Sequence, residues 1–325
     1  MRLFQTESSD WSDKSTAKTR RVALDILFVY MFLSICCFIG YRIAGMDNFD
    51  AVNHAMTTIS TGGYSTSDSS MGHFSHIAHW NAIIFMFLGG LPFLLLIRGM
   101  KQKSLQPLWK DAQIQGFAWL VIACSLSLSI YLVMSGQFSW LDAIRLSVFN
   151  VVSVVTTTGF GLDDFLTWGD FSLLIFAGLL FTGACSGSTC GGMKIFRFQI
   201  AFSLLKRHLM LLMHPHALFT QKYNNRKVSD EILRSLVAFV IAYMATIAVS
   251  TLLLTLFGSQ AMLALTASIT AVSNVGPGLV ESIGPSGNFA ELPNVSKWIL
   301  SICMLMGRLE ILTVAVMFTG HFWRR

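Results

Sequence analysis

Charge is scarce in this 325-residue chain: Asp, Glu, Lys and Arg together make up 12% of it. A soluble domain carries about twice that share. With 54% hydrophobic residues and a mean hydropathy of +0.61, one large soluble core is excluded. Cysteine is sparse as well. Cys36, Cys37, Cys124, Cys185, Cys190 and Cys303 all lie in or beside apolar runs, which fits buried free thiols and not a disulfide framework. Cys185 and Cys190 have no histidine or second cysteine pair at zinc spacing, which argues against a metal site. No HExxH, GxSxG or Walker A pattern and no paired intramembrane Asp occurs, so nothing points to an enzyme. A cleavable leader is also absent from the opening residues. Residues 1–21 are polar and place Lys14, Lys18, Arg20 and Arg21 before the first apolar run, so that run is expected to insert as an anchor with a cytoplasmic N-terminus.

What the chain has instead is apolar length. A spanning helix needs about 20 apolar residues, and stretches 22–44, 77–98, 114–134, 171–205, 235–257 and 296–322 qualify. Between the members of each consecutive pair lies a shorter, less apolar stretch: 49–66, 140–161 and 260–279. Each fits a re-entrant half-helix followed by an extended loop, a backbone tolerated at membrane depth only inside protein or beside a water-filled cavity. The expected fold is therefore all-α, an integral membrane protein of six spans and three half-helices. Three span–pore loop–span units are expected at 1–110, 111–215 and 216–325, set about a pseudo-fourfold axis with one quadrant empty.

Charge sidedness supports this topology. Of the 23 Lys and Arg, all but Arg42, Arg145, Lys297 and Arg308 fall in 2–21, 98–110, 194–234 or 324–325, which the topology puts on one side. The positive-inside rule makes that side cytoplasmic. The net charge of +6 therefore reflects loop placement and gives no reason to expect nucleic acid. The opposite side carries Asp68, Asp163, Asp164, Asp170, Glu281 and Glu291, an acidic mouth that would concentrate cations.

The re-entrant stretches end alike: Thr-Thr-Ile-Ser-Thr-Gly-Gly-Tyr-Ser-Thr at 57–66, Val-Val-Thr-Thr-Thr-Gly-Phe-Gly at 154–161, and Ala-Val-Ser-Asn-Val-Gly-Pro-Gly at 271–278. Alignment puts Gly63, Gly159 and Gly276 in register, followed by Tyr64, Phe160 and Pro277. A dehydrated cation needs oxygen ligands, which consecutive backbone carbonyls supply. Holding them inward needs unusual backbone angles, hence glycine. The half-helix before each loop turns its partly negative C-terminal end toward the same point. The ion-filter candidates are Thr61, Gly62 and Gly63; Thr157, Thr158 and Gly159; and Asn274, Val275 and Gly276. The cation would sit at Gly63, Gly159 and Gly276. One aligned glycine per loop, without a Gly-Tyr-Gly pair, implies modest selectivity.

These units resemble the superfamily of potassium transporters that includes the bacterial TrkH and KtrB proteins, with TrkH the nearer. The resemblance spans residues 1–325. Its specific marks are Thr-Gly-Gly-Tyr-Ser-Thr at 61–66, Thr-Thr-Gly-Phe at 157–160, Asn-Val-Gly-Pro-Gly-Leu at 274–279 and Gly-Ala-Cys-Ser-Gly-Ser-Thr-Cys-Gly-Gly-Met-Lys at 183–194. Gly-Arg-Leu-Glu at 307–310 and Phe-Trp-Arg at 322–324 also match. The resemblance implies potassium uptake across a bacterial inner membrane. It implies four units around one pore, of which these would be the second, third and fourth, and a homodimer with a pathway in each subunit. It also implies gating by a cytosolic nucleotide-binding subunit of the TrkA type. A chain with three units is expected to need a separate first unit before it conducts. A cation-coupled secondary transporter is the rival reading, but its repeats are normally inverted, whereas these units run in one direction.

Two further features bear on a gate. The run from Phe171 to Thr182 is interrupted by Gly183–Gly192 before it resumes at Ile195. Each interior Gly costs a helix about 1 kcal/mol against Ala. The break lies below the filter, where a flexible loop reads as a gate formed by Gly183, Ser186, Gly187, Ser188, Thr189, Gly191 and Gly192. Arg308, midway along 296–322, is expected to line the pathway beside it, because an intramembrane Arg costs at least ~2.5 kcal/mol unless it faces an interior. Glu310, two residues on, falls on another helical face and is not expected to be its partner. Lys194 reads as a snorkelling anchor. His54, Asn150 and Asn274 read as packing or hydrogen-bonding groups. The basic stretch 206–234 reads as a cytoplasmic connection able to dock a regulatory subunit.

Overall fold

The structure, a computed structural model, describes residues 19–214, 222–224, 226–317 and 323. The basic opening at 2–18, the Phe322 and Arg324 positions of the last motif and residues 215–221 of the connection lie outside the described residues.

Three long apolar helices organise the chain: α1 (Thr19–Ile43), α6 (Ala112–Met134) and α10 (Asp230–Leu256). All three are long and apolar enough to cross a membrane, and less than half of each lies inside the protein. The rest is an apolar outer face, on α1 formed by Leu24, Leu27, Phe28, Met31, Ile35 and Ile39, all exposed. In water such faces would aggregate; in lipid they are matched to their solvent.

Each long helix is followed by a shorter one packed against it: α2 (Asn48–Ile59), α7 (Trp140–Val155) and α11 (Ala261–Ser273). At 1.5 Å per residue these are about 18, 24 and 20 Å long, short of a ~30 Å hydrocarbon core. Their outer ends are set by chemistry visible in the sequence. Asp47 accepts from the Asp50 N–H, and Ser139 accepts from the Asp142 N–H while its hydroxyl donates to the Asp142 carboxylate at 2.8 Å. Their inner halves are buried: α7 is fully enclosed from Phe149 to Val155 and α11 from Thr266 to Ser273.

The second helices correct the sequence reading. One break was expected, in the middle unit, and none of the three second helices is continuous. The first divides into α3 (His76–Gly89) and α4 (Phe93–Gln102), bent by 97° at Gly90-Leu91-Pro92, and the short α5 (Gln106–Trp109) follows. The middle one divides into α8 (Asp170–Leu179) and α9 (Ile195–Met213), with residues 180–194 between them. The third divides into α12 (Asn294–Arg308) and α13 (Ile311–Met317), bent by 108° at Leu309-Glu310. Arg308 is therefore the last residue of a helix and not the middle of a span.

Two short strand pairs complete the described structure. Within 180–194, β1 (Thr182–Gly183) runs parallel to β2 (Met193–Lys194) and pinches off a nine-residue intramembrane loop, 184–192. In the connection between α9 and α10, β3 (Lys222–Tyr223) pairs antiparallel with β4 (Arg226–Lys227).

Candidate functional site

The inner ends of α2, α7 and α11 finish in the same backbone motif. The residue after each helix C-cap, or the C-cap itself in α11, is left-handed: Thr61 at φ 52°, Thr157 at φ 54° and Asn274 at φ 59°. Two residues on, a glycine again has positive φ: Gly63 at 67°, Gly159 at 81° and Gly276 at 111°. Between them the N–H of Gly62, Thr158 and Val275 reaches back to the carbonyl of Thr57, Ser153 and Thr270 at 2.7, 2.9 and 3.1 Å. This is a Schellman closure, with its long bond and its left-handed residue, repeated three times. Each helix end is thereby capped and the chain is sent on as extended loop.

The residues whose carbonyls close the motif also carry hydroxyls, and these staple the loop. Thr57 Oγ1 donates to the Tyr64 carbonyl at 2.9 Å, and Ser153 Oγ donates to the Phe160 carbonyl at 2.8 Å. In the third loop, where Pro277 replaces the aromatic residue, Thr270 Oγ1 accepts from the Gly276 N–H at 3.0 Å. The sequence reading missed these three as a set, although they stand six residues before each aligned glycine.

The loops pack as successive members of a ring. A Cβ on Gly63 would fall 1.8 Å from the Thr158 carbonyl oxygen, and one on Gly159 would fall 2.1 Å from that of Val275. Each glycine thus lets the next loop's carbonyl approach its Cα. Gly276 has no such neighbour among the described residues; the nearest atom to its Cβ position is the Gly159 Cα at 3.9 Å.

His54 is fully buried in α2. Its Nδ1 donates to the Asp50 carbonyl at 2.8 Å and its Nε2 faces the Ser65 hydroxyl at 2.9 Å, a neutral tautomer that ties the helix to its loop. Asn150, buried in α7, donates to the Leu146 carbonyl. Asn274 donates from Nδ2 to the Met304 carbonyl of α12 at 3.1 Å. The acidic mouth is partly structural. Asp163 accepts from the Trp168 indole at 2.7 Å, and Asp164 accepts from the Leu166 N–H. At the outer end of α7, the Ser139 hydrogen bond and then Arg145 hold the Asp142 carboxyl below its ordinary range.

The loop 184–192 lies directly beneath these ends. Its backbone is irregular, so each N–H needs an acceptor away from water, and the neighbours provide them. Cys185 N donates to Gly90 O at 3.1 Å, Ser186 N to Gln113 Oε1 at 2.9 Å, Thr189 N to Gly89 O at 3.3 Å and Gly191 N to Thr157 Oγ1 at 2.7 Å. In return, the Gly187 carbonyl accepts from Phe93 N at 3.0 Å. The break at 90–92 thus frees the carbonyls of Gly89 and Gly90, and the N–H of Phe93, to receive the loop. Within the loop Ser188 Oγ donates to Cys185 O, and Gly187 and Gly192 take positive φ where it turns. Gly191 reaches the third half-helix: its Cβ position lies 2.9 Å from the Ser273 carbonyl oxygen and 3.1 Å from Asn274 Cβ. Gly183 packs in β1 with its Cβ position 2.4 Å from the Gly191 carbonyl oxygen. Gln113, buried at the start of α6, carried no signal of this role in the sequence.

Beneath the loop sit four charges. Lys194 is buried and its Nζ donates to the Cys190 carbonyl, so it holds the loop and does not snorkel. Arg197 Nη2 pairs with Glu310 Oε2 at 2.6 Å, and its guanidinium lies 3.6 Å from the centre of the Phe239 ring. Arg308 is exposed, makes no hydrogen bond to the loop among the described residues, and lies within electrostatic reach of Lys194 and Cys190. Further toward the cytoplasm, Tyr223 of β3 donates to Gln199 at 2.6 Å, and Asn224 bridges Asp111 and the Ala112 N–H. Burial there keeps the Tyr223 phenol well above its ordinary range. The connection is therefore clasped to α9, the helix that leaves the loop.

Three half-helices aimed at one point, each ending in a glycine loop, with a polypeptide plug below, define a pore-loop membrane protein. The cation transport protein family TrkH matches residues 1–325, and the chain belongs to that family. It is 46% identical over 327 residues to the Trk system potassium uptake protein TrkI of Halomonas elongata, an alignment covering 100% of this chain and 66% of that protein. It is 34% identical over 331 residues to the Trk system potassium uptake protein TrkH of Escherichia coli K12, covering 100% of this chain and 67% of that one. The crystal structure of the potassium transporter TrkH from Vibrio parahaemolyticus superposes with a TM-score of 0.90 at 30% identity, over 96% of this chain and 67% of that chain. The chain thus spans about two thirds of the length of these relatives. Its fold is the all-α membrane fold of the family, and its place is the bacterial inner membrane, which it crosses more than once.

Proposed function

We propose that this chain supplies three of the filter loops, and the gate, of a potassium uptake pathway. The observation that carries the reading is the threefold repetition of one backbone motif: left-handed residue, one residue, positive-φ glycine, with Gly63 and Gly159 each seated on the carbonyl of the next loop. Repeated rings of inward carbonyls suit a dehydrated monovalent cation, and the C-terminal ends of α2, α7 and α11 add negative potential at the same place. Thr61, Gly62, Gly63, Thr157, Thr158, Gly159, Asn274, Val275 and Gly276 form the filter. The cation crosses at the level of Gly63, Gly159 and Gly276. Loop 184–192, with Arg308 and Lys194 below it, is the gate.

The unfilled space at the Gly276 Cβ position supports a fourth loop of the same kind closing the ring. The units 1–110, 111–215 and 216–325 then correspond to three quarters of it. The names of the relatives support potassium as cargo and a multi-subunit Trk system as context. On this reading the pathway works as a homodimer, with a cytosolic nucleotide-binding subunit of the TrkA type docking at the 206–234 connection.

The test is rubidium uptake and growth at limiting potassium in a host without its own potassium uptake. The chain is compared alone, with a co-expressed family first unit, and as Gly159→Ser in that pair. Uptake that requires the first unit and is lost on Gly159→Ser supports the reading. Uptake unaltered by Gly159→Ser in a membrane-inserted protein refutes the filter assignment.

A further inference from the structure

A left-handed backbone at a β-branched residue is a genuine outlier, and a helix C-terminus that needs one ordinarily uses Gly or Asn. The third loop obeys this rule with Asn274. The first two do not: Thr61 and Thr157 hold φ of 52° and 54°. Strain of this kind persists where surrounding interactions over-determine it, and both threonines spend their hydroxyls on the same object. Thr61 Oγ1 shares its proton between the Thr189 carbonyl at 2.9 Å and the adjacent Ser60 carbonyl at 2.7 Å, and Thr157 Oγ1 accepts from the Gly191 N–H at 2.7 Å. Among the described residues Asn274 has no hydrogen bond to the loop and turns instead to Met304. Threonine thus stands at the two left-handed positions that grip the loop, and asparagine at the one that does not.

We propose that Thr61 and Thr157 are positioning residues that latch the gate loop to the filter backbone. Each is strained in place by its own helix cap and hydrogen-bonded to the loop two residues apart, at Thr189 and Gly191. The loop cannot swing away without freeing both hydroxyls and leaving the Gly191 N–H unpaired. Freeing them relaxes the two residues that set the direction of the filter carbonyls. Gate position and filter geometry are then one variable and not two. Thr189 reinforces the first contact, because its own hydroxyl shares its proton between the Ile59 carbonyl at 3.0 Å and the Gly89 carbonyl at 3.2 Å.

This inference rests on the transport reading, so the deciding measurement is not transport. Cys190 lies inside the loop and is buried, and Cys37 is fully buried in α1, away from it. The rate of modification of each thiol by a small methanethiosulfonate reagent, resolved by peptide mass spectrometry, is compared in membranes bearing the full chain. Thr61→Val and Thr157→Val keep the branching and remove the hydroxyl; each accelerates Cys190 by about 5-fold, the worth of one hydrogen bond. Serine at either position, which restores the hydroxyl, brings the rate back to that of the parent chain, and Cys37 is unchanged throughout. Should Thr157→Val fail to insert, Thr157→Ala removes the same group. An unchanged Cys190 rate, a serine variant that behaves like valine, or equal acceleration at Cys37 overturns the latch. Rubidium uptake is measured in parallel with a family first unit co-expressed. Faster Cys190 modification with no uptake in any variant leaves the latch standing and removes the transport reading.

Discussion

The three aligned loop glycines give a graded prediction, because the space around each differs. An alanine Cβ at Gly159 would stand 2.1 Å from the Val275 carbonyl oxygen, and at Gly63 it would stand 1.8 Å from that of Thr158. Both contacts are to backbone, which cannot rotate away. At Gly276 the nearest atom is 3.9 Å distant, an ordinary contact. All three positions have positive φ, so each alanine carries a backbone cost of about 1–2 kcal/mol. Gly63 and Gly159 add the cost of forcing a group into packed surroundings, about 1–3 kcal/mol. Gly63→Ala and Gly159→Ala are therefore expected to cost roughly 2–5 kcal/mol and Gly276→Ala roughly 1–2 kcal/mol. Thermal unfolding of the purified chain in detergent reads this order directly. With a family first unit co-expressed, the ring closes against Gly276 and its alanine variant becomes as damaging to rubidium uptake as the other two. If Gly276→Ala destabilises the isolated chain as much as Gly159→Ala, the ring packing inferred from these contacts is wrong. If it stays mild for uptake in the completed assembly, no fourth loop seats there.

Other consequences follow from the polar contacts. Gln113→Leu removes the acceptor of the buried Ser186 N–H and is expected to cost about 1–3 kcal/mol, read as a lower unfolding temperature and faster thiol modification of Cys185. Glu310→Gln strips the carboxylate from Arg197, whose side chain is 6% exposed. A broken buried pair costs about 3–5 kcal/mol, and the exposure of Glu310 places this one toward the lower end. Adding Arg197→Met to Glu310→Gln should recover most of that loss in a double-mutant cycle of unfolding temperatures. Ser153→Ala removes the staple to Phe160; a loss of about 1 kcal/mol should lower the ratio of rubidium to sodium uptake while the protein stays inserted.

Much of this architecture is legible in the sequence because it depends on local rules. Apolar length marks α1, α6 and α10, and the stretches before Gly63, Gly159 and Gly276 are too short to span. Their alignment places the positive-φ positions without any structure. The hydroxyls of Thr57, Ser153 and Thr270 follow the same offset and would have emerged had the alignment run further toward the N-terminus. The two bends outside the middle unit were hidden by composition, since an apolar run scores as a span whether or not it is straight. Gly89-Gly90-Leu91-Pro92 was a signal left unread. Gly307-Arg308-Leu309-Glu310 contains one too, for Gly307 gives room to the Val272 carbonyl, 1.9 Å from its Cβ position. Gln113 and the Arg197–Glu310 pair carried no such mark, because their partners are distant in sequence.

The bend at residues 90–92 has a physical cause in loop 184–192. A nine-residue stretch without helix or sheet bonds lies at membrane depth, and its N–H and carbonyl groups must find partners there. A continuous helix offers none, since its carbonyls and N–H groups are engaged internally. Only a broken helix presents free backbone, and the helix pair α3–α4 breaks where the loop arrives. The first break receives Cys185 on Gly90 and Thr189 on Gly89 and returns Phe93 to Gly187. The last places Glu310, in left-handed conformation, against Arg197 just beyond the loop. Meanwhile Asn274 ties the third filter loop to Met304, one turn before that break. An irregular loop at this depth thus stands beside a broken helix, and loop 184–192 shares hydrogen bonds with that helix and with the loops that follow α2 and α7. Displacing loop 184–192 therefore means re-pairing atoms of each, and on the latch proposal this is why the positions at 61 and 157 accept strained threonines.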